Sequence, residues 1–185
     1  AFHMNTGEYY SRTTNYINWG YDNYYGLIDI EDYKDNSYML DRELILNEKF
    51  NELMFPTDTN FVNYIITYSG HTPFTNTKGV CKTLYNLDKE EEILLNESLN
   101  QEVNNQENNQ SEETTDTLNE EVKEEFIQMT EMECVKRQAR ETDYMMELIL
   151  QNLRDKNLID NTVIVVFTDH YLYTLEDKSI LDNYK

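Results

Sequence analysis

Basic residues are scarce: 15 Lys and Arg stand against 36 Asp and Glu, and the net charge is -21. A nucleic-acid partner needs clustered Lys and Arg to neutralise phosphates, so this balance argues against one. Long apolar runs are missing too, and none approaches the roughly 18 residues that a membrane-spanning helix requires. The first residues lack the basic and apolar regions of a signal peptide, and the chain starts abruptly, as if cut from something longer. Cysteine is limited to Cys81 and Cys134, far apart and in no metal-ligand spacing, which reads as two free thiols rather than a disulfide. Glycine and proline are also few, 5 and 2, whereas 15 Tyr and many Asn suggest a compositional bias rather than a functional signature. The 185 residues suffice for one domain with a real core, at the low end for a large α/β enzyme.

Residues 1–38 show no clear periodicity and read as loops with short helices, for example Thr13 to Trp19 ahead of Gly20. In 40–53, Leu40, Leu44, Ile45, Phe50 and Leu53 fall roughly on one helical face before Pro56 interrupts. Phe61 to Tyr68 is a β-branched and aromatic run of strand length, ending in the turn Ser69-Gly70-His71-Thr72-Pro73-Phe74. From Asp88 to Glu125 there are fourteen Asp and Glu against two Lys. Residues 88–120 hold too few apolar groups to offset ordering entropy and predict a solvated loop or disordered acidic insertion. A helical stripe then runs from Glu121 to Leu153 through Val122, Phe126, Met129, Met132, Val135, Ala139, Met146, Ile149 and Leu153. After a turn at Asp160-Asn161, Thr162 to Thr168 is an unbroken apolar run, the pattern of a strand buried on both faces of a parallel sheet. Helix, short turn and buried strand make half of an α/β unit.

Asp169 and His170 follow that strand directly. Ligands in open α/β sheets bind outside the carboxyl ends of strands, where a carboxylate beside an imidazole can present oxygen and nitrogen to one divalent cation. Position alone leaves a second reading open, in which Asp169 caps a following helix and His170 packs at the surface. His71 also ends a predicted strand, either as a loop histidine bonded to backbone or as a residue pointing into the same cleft as Asp169. Arg12, near His3 in the aromatic first stretch, has the planar fork that clamps a tetrahedral anion, though a lone loop arginine is by default solvated.

Taken together, these stretches resemble the alkaline phosphatase and sulfatase superfamily, and more narrowly its lipoteichoic acid synthase and phosphoglycerol transferase branch. FHMNTGEYYSRTTNYINWGYDNYYG is similar to that branch's His-Gly-Asn, aromatic-Asn-Arg and Gly-aromatic-Asp stretch, with His3, Tyr10, Arg12 and Gly20-Tyr21-Asp22 at matching positions. FVNYIITYSGHTPF resembles its strand ending in Ser-x-His-x-Pro-Phe, and ETDYMMELILQNLRDKNLIDNTVIVVFTDHY its helix, Asp-Asn-Thr and apolar strand into Asp-His. The resemblance implies an α/β fold, a mainly parallel sheet sandwiched by helices. It implies an extracytoplasmic, membrane-anchored enzyme whose threonine attacks a phosphatidylglycerol phosphate, aided by one divalent ion, commonly manganese, with magnesium or zinc as alternatives. Asp169 and His170 would then be metal ligands, and His71, Arg12, His3 and Tyr10 would line the head-group pocket. The implied partners are a phosphatidylglycerol-like head group and a glycerol-phosphate polymer.

The departures bear on the same reading. The branch's nucleophilic threonine and remaining carboxylate ligand lie upstream of the first motif and have no counterpart here. The branch continues into further strands, whereas this chain stops fifteen residues after His170. His3 is followed by Met4-Asn5 rather than Gly-Asn. A partial sulfatase-like catalytic domain over 1–185 is therefore expected, interrupted by the acidic insertion. The alternatives are a non-catalytic relative binding anionic envelope polymers, or an acidic α/β domain whose histidines are structural.

Overall fold

In the computed structural model, which describes residues 1–29, 40–107 and 127–179, two short strands run parallel. They are β1, Phe2–His3, and β2, Ile65–Ile66, in the register Phe2 to Ile65 and His3 to Ile66. Tyr25 flanks the other side of β1: His3 N donates to its carbonyl at 3.0 Å and its own N–H reaches Ala1 O at 2.8 Å. Among the described residues the sheet consists of these two strands. The strand expected over 61–68 is thus paired only at Ile65–Ile66, because β1 offers only two residues of ladder alongside it.

The first helix, α1, covers Arg12–Asn18 and is followed by Gly20 at φ 97, close to the expected helix and its glycine stop. Over 40–53 the sequence predicts one helix, but two form: α2, Arg42–Leu46, and α3, Glu48–Met54. Asn47 separates them, because its backbone is extended and its side chain accepts from Phe50 N, capping α3. That break resets the helical phase. Leu40, Leu44, Ile45 and Phe50 are buried as expected, whereas Leu53 is 41% exposed and Met54 takes the core position.

The acidic segment departs further. A helix α4 extends over Gly79–Glu107, so residues 88–107 are helical rather than disordered; 108–120 lie outside the described residues. The side chains of residues 90–96 are exposed, as the low apolar content requires. Helix formation depends on propensity, however, and this stretch is rich in Glu and Leu and free of Gly and Pro after Gly79. Its N-terminal turns are anchored, since Val80 and Leu84 pack with Leu40. The two cysteines are not free thiols: Cys81 and Cys134 form a disulfide with Cα atoms 5.4 Å apart, buried with Phe74 and Leu175. Sequence separation concealed the pairing that helix packing creates.

Helix α5 spans Glu131–Asp155 and starts at a capping box in which Thr130 accepts from Glu133 N and Glu133 accepts from Thr130 N. The predicted stripe includes 127–130, which are not helical, and its first residues, Glu121 to Phe126, lie outside the described residues. Its buried face is Cys134, Gln138, Glu141, Met145, Ile149 and Leu153; Ala139 points to solvent. The main core gathers Phe2, Leu44, Phe50, Met54, Met145 and Leu153 from β1, α2, α3 and α5. Two polar residues share that face because they have partners. Glu141 accepts from Arg42 N at 3.1 Å and Arg42 Nε at 2.7 Å, and pairs with Arg42 Nη2, joining α5 to α2. Glu141→Gln keeps the volume but turns a donor toward the guanidinium. Its expected cost is about 2 kcal/mol in urea unfolding, moderated because Arg42 keeps water on one side. A loss under about 0.5 kcal/mol would show that the ion pair adds nothing beyond packing.

The run Thr162 to Thr168 is not a buried strand here. It has no regular secondary structure, and Val163 and Val165 are 88% and 75% exposed. A strand buried on both faces needs paired neighbours and covering helices. Among the described residues the run gains mainly a ring contact, Phe167 at 6.4 Å from Tyr64 ahead of β2.

Candidate functional site

At the end of β1, His3 is buried, and its Nδ1 lies 2.8 Å from Ile66 O on β2. A carbonyl only accepts, so Nδ1 carries the proton and Nε2 keeps its lone pair. That Nε2 is buried without a hydrogen-bond partner. Burial lowers the His3 pKa from 6.5 to about 4 against the opposing Ile66 bond, with the charges of Arg12 and His71 adding to the decrease. His3 is therefore a neutral acceptor at pH 7, and Arg12 and His71 are close enough to act on it electrostatically.

Tyr68, just past β2, stands between the two histidines. Its ring meets His3 edge-on at 6.3 Å and stacks on His71 at 5.9 Å and 7°. His71 is exposed, and its Nδ1 lies 2.9 Å from Thr72 O, which leaves Nε2 as the ring nitrogen available to a ligand. Arg12 opens α1, with its guanidinium carbon 5.4 Å from the centre of the exposed Tyr10 ring. Tyr10 and Ser11 have φ of 56 and 50, a left-handed conformation costing non-glycine residues about 1–2 kcal/mol each. Strain of this kind concentrates where surrounding structure must aim side chains. Of the four residues expected to line a head-group pocket, Tyr10 meets Arg12, and His3 and His71 meet through Tyr68; between the two pairs acts the Arg12 charge on His3.

Asp169 and His170 follow Phe167, whose ring lies 6.4 Å from Tyr64. Their side chains are 84% and 44% exposed, with Asp169 Oδ1 3.6 Å from His170 Nε2. His170 Nδ1 lies 2.9 Å from Tyr171 O and so holds the proton, leaving Nε2 directed at the carboxylate. A ligating histidine characteristically donates its other N–H to a backbone carbonyl, so the donor set fits two positions of a divalent cation's shell. Among the described residues no group of three or more His, Cys, Asp or Glu could hold a metal ion. The pair supplies part of a shell and does not close it.

A polar cluster beneath His71 escaped the sequence reading. Asp41 is fully buried; its carboxylate accepts from Tyr68 N at 2.8 Å and Ser69 N at 2.7 Å, and Ser69 Oγ accepts from Asp41 N. Burial raises the Asp41 pKa from 3.8 to about 6 in spite of those bonds, and the nearby Glu141 charge adds to the rise. Gln138 Nε2 donates to Ser69 O and His71 O. The one signal available beforehand was the series Cys134, Gln138, Glu141 and Met145, in which two polar residues occupy helical core steps of four, three and four.

A family model described as Sulfatase matches residues 1–185, the whole chain. No curated protein and no solved structure matches it.

Proposed function

The chain belongs to the sulfatase family, and from that premise we propose that it serves a metal-dependent phosphoglycerol transferase. Membership establishes a sulfatase-like hydrolase or transferase, an alkaline-phosphatase-like α/β fold and a family that generally works with a divalent metal. The finer reading is transfer of glycerol phosphate from a phosphatidylglycerol-like head group to a glycerol-phosphate polymer of the cell envelope. The observation that carries it is the pair of imidazoles, His3 and His71, against the two sides of Tyr68 beside the ends of parallel strands, with the Arg12 charge acting on His3.

Arg12 offers parallel N–H donors to two oxygens of a phosphate ester. His71 Nε2 can meet the ligand, donating to a phosphoryl oxygen or accepting from a glycerol hydroxyl, while the neutral His3, buried beside Tyr68, backs the pocket. Tyr10 closes the outer edge over Arg12. Asp169 and His170 would hold manganese, or magnesium or zinc in its place; when bound, the ion neutralises developing charge and lowers the pKa of a coordinated hydroxyl. The Cys81–Cys134 disulfide supports an extracytoplasmic location, because such bonds persist in oxidising compartments. No helix among the described residues is long and apolar enough to cross a membrane, and a membrane anchor belongs to this proposal alone.

Titration with glycerol 1-phosphate, followed through the imidazole NMR signals, tests the pocket. Arg12→Ala and His71→Ala are each expected to weaken binding about tenfold, the loss of one charge-assisted hydrogen bond. Equal binding by both variants and the wild type would sink the reading, and tighter binding of inorganic sulfate would redirect it to sulfate esters. Manganese should broaden the His170 ring signals in the wild type and leave them sharp in Asp169→Ala.

A further inference from the structure

His71 sits in an exposed turn, yet its backbone is held on every side. The N–H groups of Tyr68 and Ser69 are taken by the Asp41 carboxylate, and His71 N itself donates to Tyr68 O at 2.9 Å. The carbonyls of the same turn are taken from the opposite side. Gln138 Nε2 donates to Ser69 O at 2.8 Å and to His71 O at 2.7 Å, so one amide secures both. Its orientation is unambiguous, because exchanging the amide oxygen and nitrogen would aim an acceptor at two acceptors. Gln138 is fully buried and its Oε1 has no partner. An apolar residue would satisfy this face of α5 without leaving an orphaned acceptor, so packing alone does not account for glutamine here. The helices that carry the two clamps are themselves joined, α2 to α5, by Arg42 and Glu141.

We propose that Gln138 is a positioning residue, whose amide fixes the turn that holds the His71 ring against Tyr68 and so sets where its free Nε2 meets an anionic ligand. The inference rests on His71 being a ligand-binding residue, as proposed above. Gln138 touches no ligand and acts only through His71.

The chain has three histidines, so their ring signals can be assigned and followed one by one. In the wild type, the near-parallel Tyr68 ring should shift the His71 ring protons upfield. The His71 amide should also exchange slowly for an exposed turn. Gln138→Met keeps the length and loses both donors; Gln138→Glu keeps the shape and turns a carboxylate toward two carbonyls. Both variants are expected to move the His71 ring signals to free-histidine positions and to speed exchange of its amide at least about tenfold. The His3 and His170 signals should stay in place and report that the fold is intact. Glycerol 1-phosphate affinity should fall about tenfold in either variant, and Gln138→Met should add nothing when His71 is already alanine.

Unmoved His71 signals in both variants would overturn the proposal, as would a further loss of affinity in the double variant. The wild type alone can also overturn it: free-histidine shifts for His71 would show that the turn is not held. Failure of the pocket reading is separable, since then the wild type binds no glycerol 1-phosphate or His71→Ala binds it equally well. In that event the ring shift and amide exchange still decide whether Gln138 orders the turn.

Discussion

Replacing Cys81 and Cys134 together by alanine is expected to lower stability by about 4 kcal/mol. The disulfide joins α4 to α5 across a sequence separation of 53 residues, and a closed loop of that size removes roughly this much free energy from the unfolded ensemble. Native packing offers little to replace it at this point. The immediate cluster is small, with Phe74 and Leu175 as the other buried members, and the α4 side chains over 90–96 face solvent. One further tie between the helices, Arg137 to Asp88, lies at the surface, where ion pairs contribute about 0–1 kcal/mol. Urea unfolding of the double variant, and of the wild type with and without reductant, measures the effect. A loss below about 1 kcal/mol would mean that apolar contacts at Val80, Leu84 and Phe74 hold α4 by themselves.

Acidification should expose two buried groups that oppose each other. His3 has a folded pKa of about 4 against 6.5. Its contribution is therefore complete above pH 6.5 and is lost as pH falls toward 4. Asp41 has a folded pKa of about 6 against 3.8. Its contribution is complete below about pH 4 and is lost as pH rises through 6. Each shift corresponds to about 3 kcal/mol, and the two windows overlap, so the sum of these contributions is nearly flat between pH 4 and 6. Removing either group should uncover the other. From pH 7 to pH 4 the wild type should lose about 3 kcal/mol relative to His3→Asn, whose amide can still donate to Ile66 O, and gain about 3 kcal/mol relative to Asp41→Asn. Chemical denaturation at both pH values decides it, and parallel profiles for all three proteins would show that neither group titrates in this range.

The sequence signals that mark the candidate site are local. Arg12, His3, His71 and Tyr10 were singled out by residue type, by strand-end position and by resemblance, and each of these belongs to a short stretch of sequence. The Gln138 amide and the Asp41 carboxylate were missed because their partners are backbone groups 69 and 28 residues away, which no periodicity marks. The disulfide was misread for the same reason.

The sequence by itself determined the family, the helices α1 and α5, the turn after β2 and the chemical types available at the site, because propensity, capping and motif spacing act over a few residues. Tertiary structure alone decided the rest. It divided 40–53 at Asn47, where a local cap prevailed over a continuous helix. It carried α4 through a segment whose acidity forbids burial without forbidding a helix. It left Val163 and Val165 in solvent, since a strand is buried only by the chains that come to lie beside it.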